Sequence, residues 1–145
     1  MKLLIVDNSM AVRVRLSDIC TSIAAVEVIQ AAKLSEGFAQ LRQFTPDAMI
    51  LDLKFPDGNG LDLLRYARQS FPSVFTLVNS NSISLREHCL ALGANHFFDK
   101  SLEVNGLVDA IIYCRDSRGA IGRPRAGAIN DSPLPASSFT EPSQS

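Results

Sequence analysis

Ala48-Met49-Ile50-Leu51-Asp52-Leu53-Lys54-Phe55-Pro56-Asp57-Gly58-Asn59-Gly60 is the stretch whose reading decides the fold. Ala48 to Leu51 has no polar member, as suits a strand covered on both faces, and Pro56, Gly58 and Gly60 break its continuation. One carboxylate, Asp52, therefore stands at the mouth of a buried strand. Alone, such an acid is more often a turn or cap residue; with the right partners it is a ligand or a nucleophile. Asp57 reads as part of the Pro-Asp-Gly turn.

Working outward, the same kind of apolar run recurs, each followed by an amphipathic segment. Leu3-Leu4-Ile5-Val6 reads as the first strand, and Val12, Leu16, Ile19 and Ile23 recur at helical spacing behind it, with Asn8 or Ser9 as the helix cap. Val26 to Gln30 is a second strand, and Leu34, Phe38 and Leu41 stripe a second helix. A third helix spans Leu61 to Gln69. Val74 to Val78 is the fourth strand, and a helix from about Ser84 to Leu92 stops at Gly93. Phe97-Phe98 lie in a short fifth strand, and Val104, Leu107, Val108, Ile111 and Ile112 stripe the last helix. Strict alternation of strand and helix predicts an α/β fold, a doubly wound parallel five-stranded sheet over residues 1–115. From Asp116 to Ser145 the chain turns to Pro, Ser and Gly with few large apolar residues, which predicts a disordered tail.

The bulk numbers exclude more than they identify. At 145 residues the chain can bury a core without disulfide or metal. Its 14 basic and 15 acidic residues give a net charge of -1, which supplies no electrostatic case for nucleic acid or an anionic membrane. Cys20, Cys89 and Cys114 form an odd set with no close pair, the usage of reduced thiols in a cytoplasmic protein. Four apolar residues before Asp7 are too few for a signal peptide or a span.

In a doubly wound sheet, functional groups gather at the carboxyl ends of the strands, near the point where strand order reverses. Asp7 and Asn8 end the first strand, Asp52 the third, and Val78-Asn79-Ser80 the fourth, while Lys100 follows the fifth. Two carboxylates suit magnesium, which takes oxygen ligands and keeps water. An aspartate beside that ion and a lysine can attack a phosphoryl donor and form an acyl phosphate.

The residues that carry this chemistry resemble the receiver domain of two-component response regulators. The matching parts are Leu4-Ile5-Val6-Asp7-Asn8-Ser9, Leu51-Asp52-Leu53-Lys54-Phe55-Pro56 with Gly60, and Gly93-Ala94 seven residues ahead of Lys100. The resemblance implies a flavodoxin-like (βα)5 fold. It implies that Asp52 accepts phosphate from a histidine kinase or phosphotransfer protein, in a phosphorelay where the domain is not itself a dedicated enzyme. Asp7, Asp52, the main-chain carbonyl of Lys54 and, weakly, Asn8 would bind magnesium, and Lys100 would pair with the phosphoryl group. A Thr or Ser at the end of strand four and an aromatic on strand five would respond, changing the affinity of the helix-four to helix-five face for an output protein or a second copy.

The chain departs from that family at four points. Asn8 offers one neutral oxygen where a second acid is usual. Counting back from Lys100 puts Val78 at the switch hydroxyl, whereas counting from Pro72 puts Ser80 there. Phe97 takes the switch-aromatic position without a hydroxyl, and Ser101 replaces the usual proline after the lysine. With no output domain recognised after residue 116, the favoured expectation is a single-domain response regulator signalling by protein contact. The alternative is a phosphorylation-independent pseudo-receiver that binds a partner through the same face. A magnesium phosphohydrolase is disfavoured because Lys54, not an acid, stands two residues after Asp52. Asn79, Ser80 and Ser82 read as loop residues, and His88 and His96 as surface or structural.

Overall fold

The computed structural model describes residues 1–120, with side-chain surroundings through Arg118. Elements follow in the order β1 (Lys2–Val6), α1 (Met10–Thr21), β2 (Glu27–Ala31), α2 (Leu34–Phe44), β3 (Ala48–Leu51), β4 (Lys54–Phe55), β5 (Gly58–Asn59), α3 (Gly60–Ser70), β6 (Phe75–Ser80), a 3-10 turn (Ile83–Leu85), α4 (Arg86–Ala91), β7 (His96–Asp99) and α5 (Val104–Ala120). Five strands pair in parallel in the order β2-β1-β3-β6-β7. That order is the flavodoxin-like α/β arrangement expected from the alternation. The chain leaves β1 toward β2 on one side and returns to place β3 on the other, so the switch point lies between β1 and β3.

Burial explains why the central strands read as unbroken apolar runs. Val6, Leu51, Val78 and Phe97 form one row across the sheet and pack with Leu41, Leu63, Leu64 and Cys89 on the face covered by α2, α3 and α4. Ile5, Ile50 and Leu77 pack on the opposite face with Leu16 and Cys20 of α1 and Leu107, Ile111 and Cys114 of α5. Successive residues of a strand thus serve two cores. Burial raises the Cys20 and Cys89 thiols to about 11, so both are core groups rather than nucleophiles.

The structure revises several local expectations. Ser9, not Asn8, caps α1, its hydroxyl accepting from the Val12 amide at 3.2 Å. The segment after β6 opens as a 3-10 turn and becomes helical only at Arg86, leaving α4 six residues long. Asn79 and Ser80, read as loop, belong to β6 and are buried. Helix α5 runs to Ala120, so residues 116–120, read as the start of a disordered tail, are helical, while the compact unit still ends at Arg115. The disorder expected for residues 121–145 lies outside the described residues. Among the described residues no helix is long and apolar enough to cross a membrane.

The Pro-Asp-Gly segment is the turn of a small hairpin, β4 against β5. Asp57 at its tip reaches α2, where its carboxylate accepts from the Leu34 and Ser35 amides, each at 3.1 Å. These bonds at the start of α2 hold the Asp57 carboxyl below the usual carboxylate range. A depressed carboxyl contributes stability above its ordinary pKa and loses it as pH falls through the folded value. Asp57→Ala is therefore expected to lower the melting temperature at neutral pH and to speed amide exchange at Leu34 and Ser35. The difference from wild type should vanish once the pH lies below the folded pKa.

Candidate phosphoryl-acceptor site

Asp7 and Asp52 project from the ends of adjacent parallel strands, on both sides of the switch point. The ladder continues through them: the Asp52 amide donates to the Val6 carbonyl at 3.0 Å, and the Asp7 amide to the Ala31 carbonyl at 3.1 Å. Both carboxylates are thereby fixed in depth. Asp7 is 2% exposed. Its Oδ1 accepts from the Ser9 amide at 2.8 Å, and Oδ1 of Asp52 accepts from the Leu53 amide at 2.7 Å.

Lys100 closes the site from the loop after β7. Its Nζ lies 2.8 Å from Asp7 Oδ2 and 2.7 Å from Asp52 Oδ2, with all three side chains largely buried. Desolvation works against the ammonium charge, but hydrogen bonds and charge attraction from Asp52 and Asp7 outweigh it and hold the Lys100 pKa above its ordinary value. The Lys100 amide donates to the Ser80 carbonyl at 3.1 Å, which ties the lysine's backbone to the end of β6.

The remaining expected site residues are dispersed around this triad. Asn8 is exposed and donates from Nδ2 to the Ala32 carbonyl at 3.4 Å. Lys54 begins β4 with its side chain exposed. Val78 is fully buried in the apolar core. Ser80 is 1% exposed, and its hydroxyl accepts from the Ser82 amide at 3.0 Å. Phe97 is buried in the same cluster as Val78, with the Arg86 guanidinium 5.0 Å above its ring. Arg86 also donates to the Phe97 carbonyl and to Glu103 Oε1, both at 2.9 Å, and Glu103 accepts from the Asp99 amide at 2.6 Å. Arg86 and Glu103 were not foreseen. Their one sequence trace is Glu103 directly before the stripe of α5, the place of a capping acid.

Asn8 is thus free of the capping duty that competed with its ligand role. The donor set suits a hard divalent cation, since every candidate ligand atom of Asp7, Asp52, Asn8 and the Lys54 main chain is oxygen. Among the described residues no cluster of three or more His, Cys, Asp or Glu side chains is placed to hold a metal. A cation here would depend on two carboxylates, neutral oxygens and water, and would share the carboxylates with the Lys100 ammonium.

Comparison with known proteins agrees with this geometry. Residues 3–112 match the family model described as the response regulator receiver domain. The chain is 29% identical over 119 residues to a protein-glutamate methylesterase/protein-glutamine glutaminase of Trichodesmium erythraeum, covering 79% of this chain and 34% of that protein. It is 30% identical over 132 residues to the DNA-binding transcriptional activator DevR/DosR of Mycobacterium tuberculosis, covering 88% of this chain and 60% of that one. The chain spans less than two thirds of the length of either relative. Among solved structures it is similar to a CheY-like receiver domain protein from Methanospirillum hungatei, with a TM-score of 0.73 and 25% identity over 83% of this chain and 98% of that one. The response regulator domain of Thermotoga maritima CheB shares the fold at a TM-score of 0.66 and 22% identity, over 86% of this chain and 98% of that one. With the family model spanning all five parallel strands and both carboxylate positions, the chain belongs to the response regulator receiver domain family.

Proposed function

We propose that residues 1–115 act as a phosphoacceptor receiver, with Asp52 taking a phosphoryl group from a histidine kinase or phosphotransfer protein. The observation that carries this reading is the Lys100 ammonium held between Asp7 and Asp52 at the switch-point crevice. An Asp52 oxygen attacks the phosphorus of the donor's phosphohistidine as the P–N bond breaks. The imidazole leaves with the bonding pair and takes up a proton, and an acyl phosphate remains on Asp52. Lys100 is already within reach of the oxygens that gain charge, so little reorganisation precedes transfer. Magnesium, held by Asp7, Asp52, the Lys54 main-chain carbonyl and weakly by Asn8, supplies charge compensation for the phosphoryl oxygens when bound.

The output is a change in affinity for a protein partner, with the α4, β7 and α5 side as the responding face. The methylesterase and DNA-binding activities belong to relatives far longer than the matched region and are not proposed here. The favoured role is a signalling acceptor that assists its own labelling, with no turnover of a separate substrate.

The test is labelling by a small acyl phosphate or a phosphorylated kinase with magnesium, read by intact mass. One added phosphoryl group is expected on the wild type and none on Asp52→Asn. Asn8 and the occupied Lys100 favour one competing reading, a phosphorylation-independent binding module. That reading prevails if no donor labels the wild type while Asp52→Asn keeps its partner.

A further inference from the structure

The junction between β2 and α2 supplies none of the oxygens assigned to magnesium, yet both segments that carry them are tied to it. The Asp7 amide donates to the Ala31 carbonyl at 3.1 Å, and Asn8 Nδ2 donates to the Ala32 carbonyl at 3.4 Å. Two residues further on, the Leu34 and Ser35 amides donate to Asp57, at the tip of the β4–β5 hairpin. The junction is itself held, since Glu36 Oε1 accepts from the Ala32 amide at 2.8 Å and from the Lys33 amide at 3.3 Å. It is a fixed surface on which the hairpin can be seated.

The hairpin needs that surface. Its strands are two residues each, with Lys54 opposite Asn59 and Phe55 opposite Gly58, too short to hold their shape alone. The base is fixed where the Gly60 amide donates to the Leu53 carbonyl at 2.8 Å and Asn59 Oδ1 accepts from the Leu61 amide at 2.9 Å. At the tip, Asp57 places one carboxylate oxygen on each of two amides that open α2. Gly58 beside it has a φ of +152°, and a Cβ there would fall 2.8 Å from Leu34 Cδ2. Phe55 is buried in the same cluster as Leu34. Charge-assisted bonds and close packing thus seat the tip on α2. Between base and tip lies Lys54, whose carbonyl is the main-chain oxygen assigned to the metal.

We propose that Asp57 is a positioning residue for magnesium: by seating the hairpin on α2 it fixes the Lys54 carbonyl where the ion requires it. This rests on the reading of Asp7, Asp52 and the Lys54 carbonyl as the metal's protein ligands. Magnesium tolerates little departure from octahedral geometry at about 2.1 Å, and a main-chain oxygen has no rotamer with which to recover a displaced position. Without the Asp57 carboxylate the hairpin samples orientations that carry this oxygen off the ion, and affinity falls with the fraction of molecules still in place. Asp57 touches neither the ion nor the phosphoryl group. Its effect therefore falls on metal affinity and spares the transfer step once the metal is bound.

Magnesium alone is the probe, titrated into 15N-labelled protein and followed at the Asp7 and Leu53 amides. Asp57→Ala should raise the magnesium dissociation constant by about tenfold, the lower end of the effect of losing a group that orients a metal ligand. Asp57→Asn, which keeps one acceptor oxygen for the α2 amides, should recover part of that loss. Labelling of Asp57→Ala by a small acyl phosphate should need correspondingly more magnesium to reach half its maximal rate, with the maximal rate itself within about twofold of wild type. Arg68→Met controls for lost stability. Arg68 donates to the Pro72 and Val74 carbonyls at 3.2 and 3.0 Å, at the opposite end of β6 from the site. Its loss should lower the melting temperature and leave magnesium affinity unchanged. An Asp57→Ala variant that binds magnesium as wild type does, or an Arg68→Met variant that weakens binding equally, overturns the positioning role. A wild type that binds no magnesium overturns the ligand assignment and this inference with it. Magnesium binding weakened in Asp57→Ala, in a protein whose wild type no donor labels, supports the positioning role and overturns the acceptor reading of Asp52.

Discussion

Lys100→Met should cost the protein about 2–3 kcal/mol of stability at pH 7, measured by urea unfolding. The substitution nearly conserves volume, so the loss is electrostatic. Asp7 and Asp52 side chains are 4% and 13% exposed and share one ammonium. Without it, two carboxylates face each other in a region that screens them poorly. The full penalty for a stranded buried charge, about 3–5 kcal/mol, is moderated because each carboxylate keeps a main-chain amide donor. Two further measurements separate this from lost packing. The double variant Asp7→Asn, Lys100→Met should be more stable than Lys100→Met alone, since one of the repelling charges is gone. Magnesium should raise the melting temperature of Lys100→Met more than that of wild type, where the ammonium competes for the same oxygens. A variant equally destabilised with and without Asp7 would show that the lysine's role is steric.

Alkaline stability follows from the same triad. The folded pKa of Lys100 is raised above its ordinary value, so its contribution is complete below about pH 10. It is lost as the pH rises through the folded pKa. Wild type should therefore lose stability relative to Lys100→Met only in strongly alkaline solution. Around neutrality the difference between them should be flat as far as this lysine is concerned.

What the sequence disclosed and what it withheld divide by physical cause. Ala48 to Leu51 appears as a strand with the expected bounds because a run buried on both faces leaves no polar residue to blur it. Asp7, Asp52 and Lys100 could be gathered from the topology rule alone, since each ends or follows a strand that points at one crevice. The hairpin from Lys54 to Asn59 was hidden because two-residue strands have no period to read. Asp57 looked like a turn residue, and it is one; its bonds to α2 span 23 and 22 residues, separations no local pattern reveals. Arg86 was invisible for a similar reason. Its ring contact with Phe97 and bridge to Glu103 depend on where α4 begins, and the helix starts later than its apolar residues suggested. Asn79 and Ser80 looked like loop because two polar residues close an apolar run, whereas pairing with β7 places both in β6.

Gly60→Ala should cost about 3 kcal/mol and, among the folded molecules that remain, slow phosphorylation of Asp52 by about a hundredfold. A methyl group built on Gly60 would fall on the carbonyl oxygen of Asp52 and lie 2.7 Å from the Leu53 Cα and 3.1 Å from the Asp52 carbonyl carbon. All three are main-chain atoms, so no rotamer change relieves the overlap. The Gly60 amide also donates to the Leu53 carbonyl at 2.8 Å, which holds the start of α3 against the segment that carries Asp52. The chain must either break that bond or push Asp52 away from Lys100. A displacement of about 1 Å at a reacting atom is enough to forfeit near-attack geometry. Gly106→Ala provides the contrast. Gly106 lies inside α5, where alanine favours the helix by about 1 kcal/mol, and its added methyl would meet the ring edge of Phe98 at 3.1 Å. A side chain can yield where a backbone cannot, so that variant should change stability by about 1 kcal/mol in either direction and leave Asp52 labelling at the wild-type rate. If Gly60→Ala unfolds at the wild-type urea concentration and is labelled at the wild-type rate, the close approach of α3 to the acceptor is not what fixes Asp52.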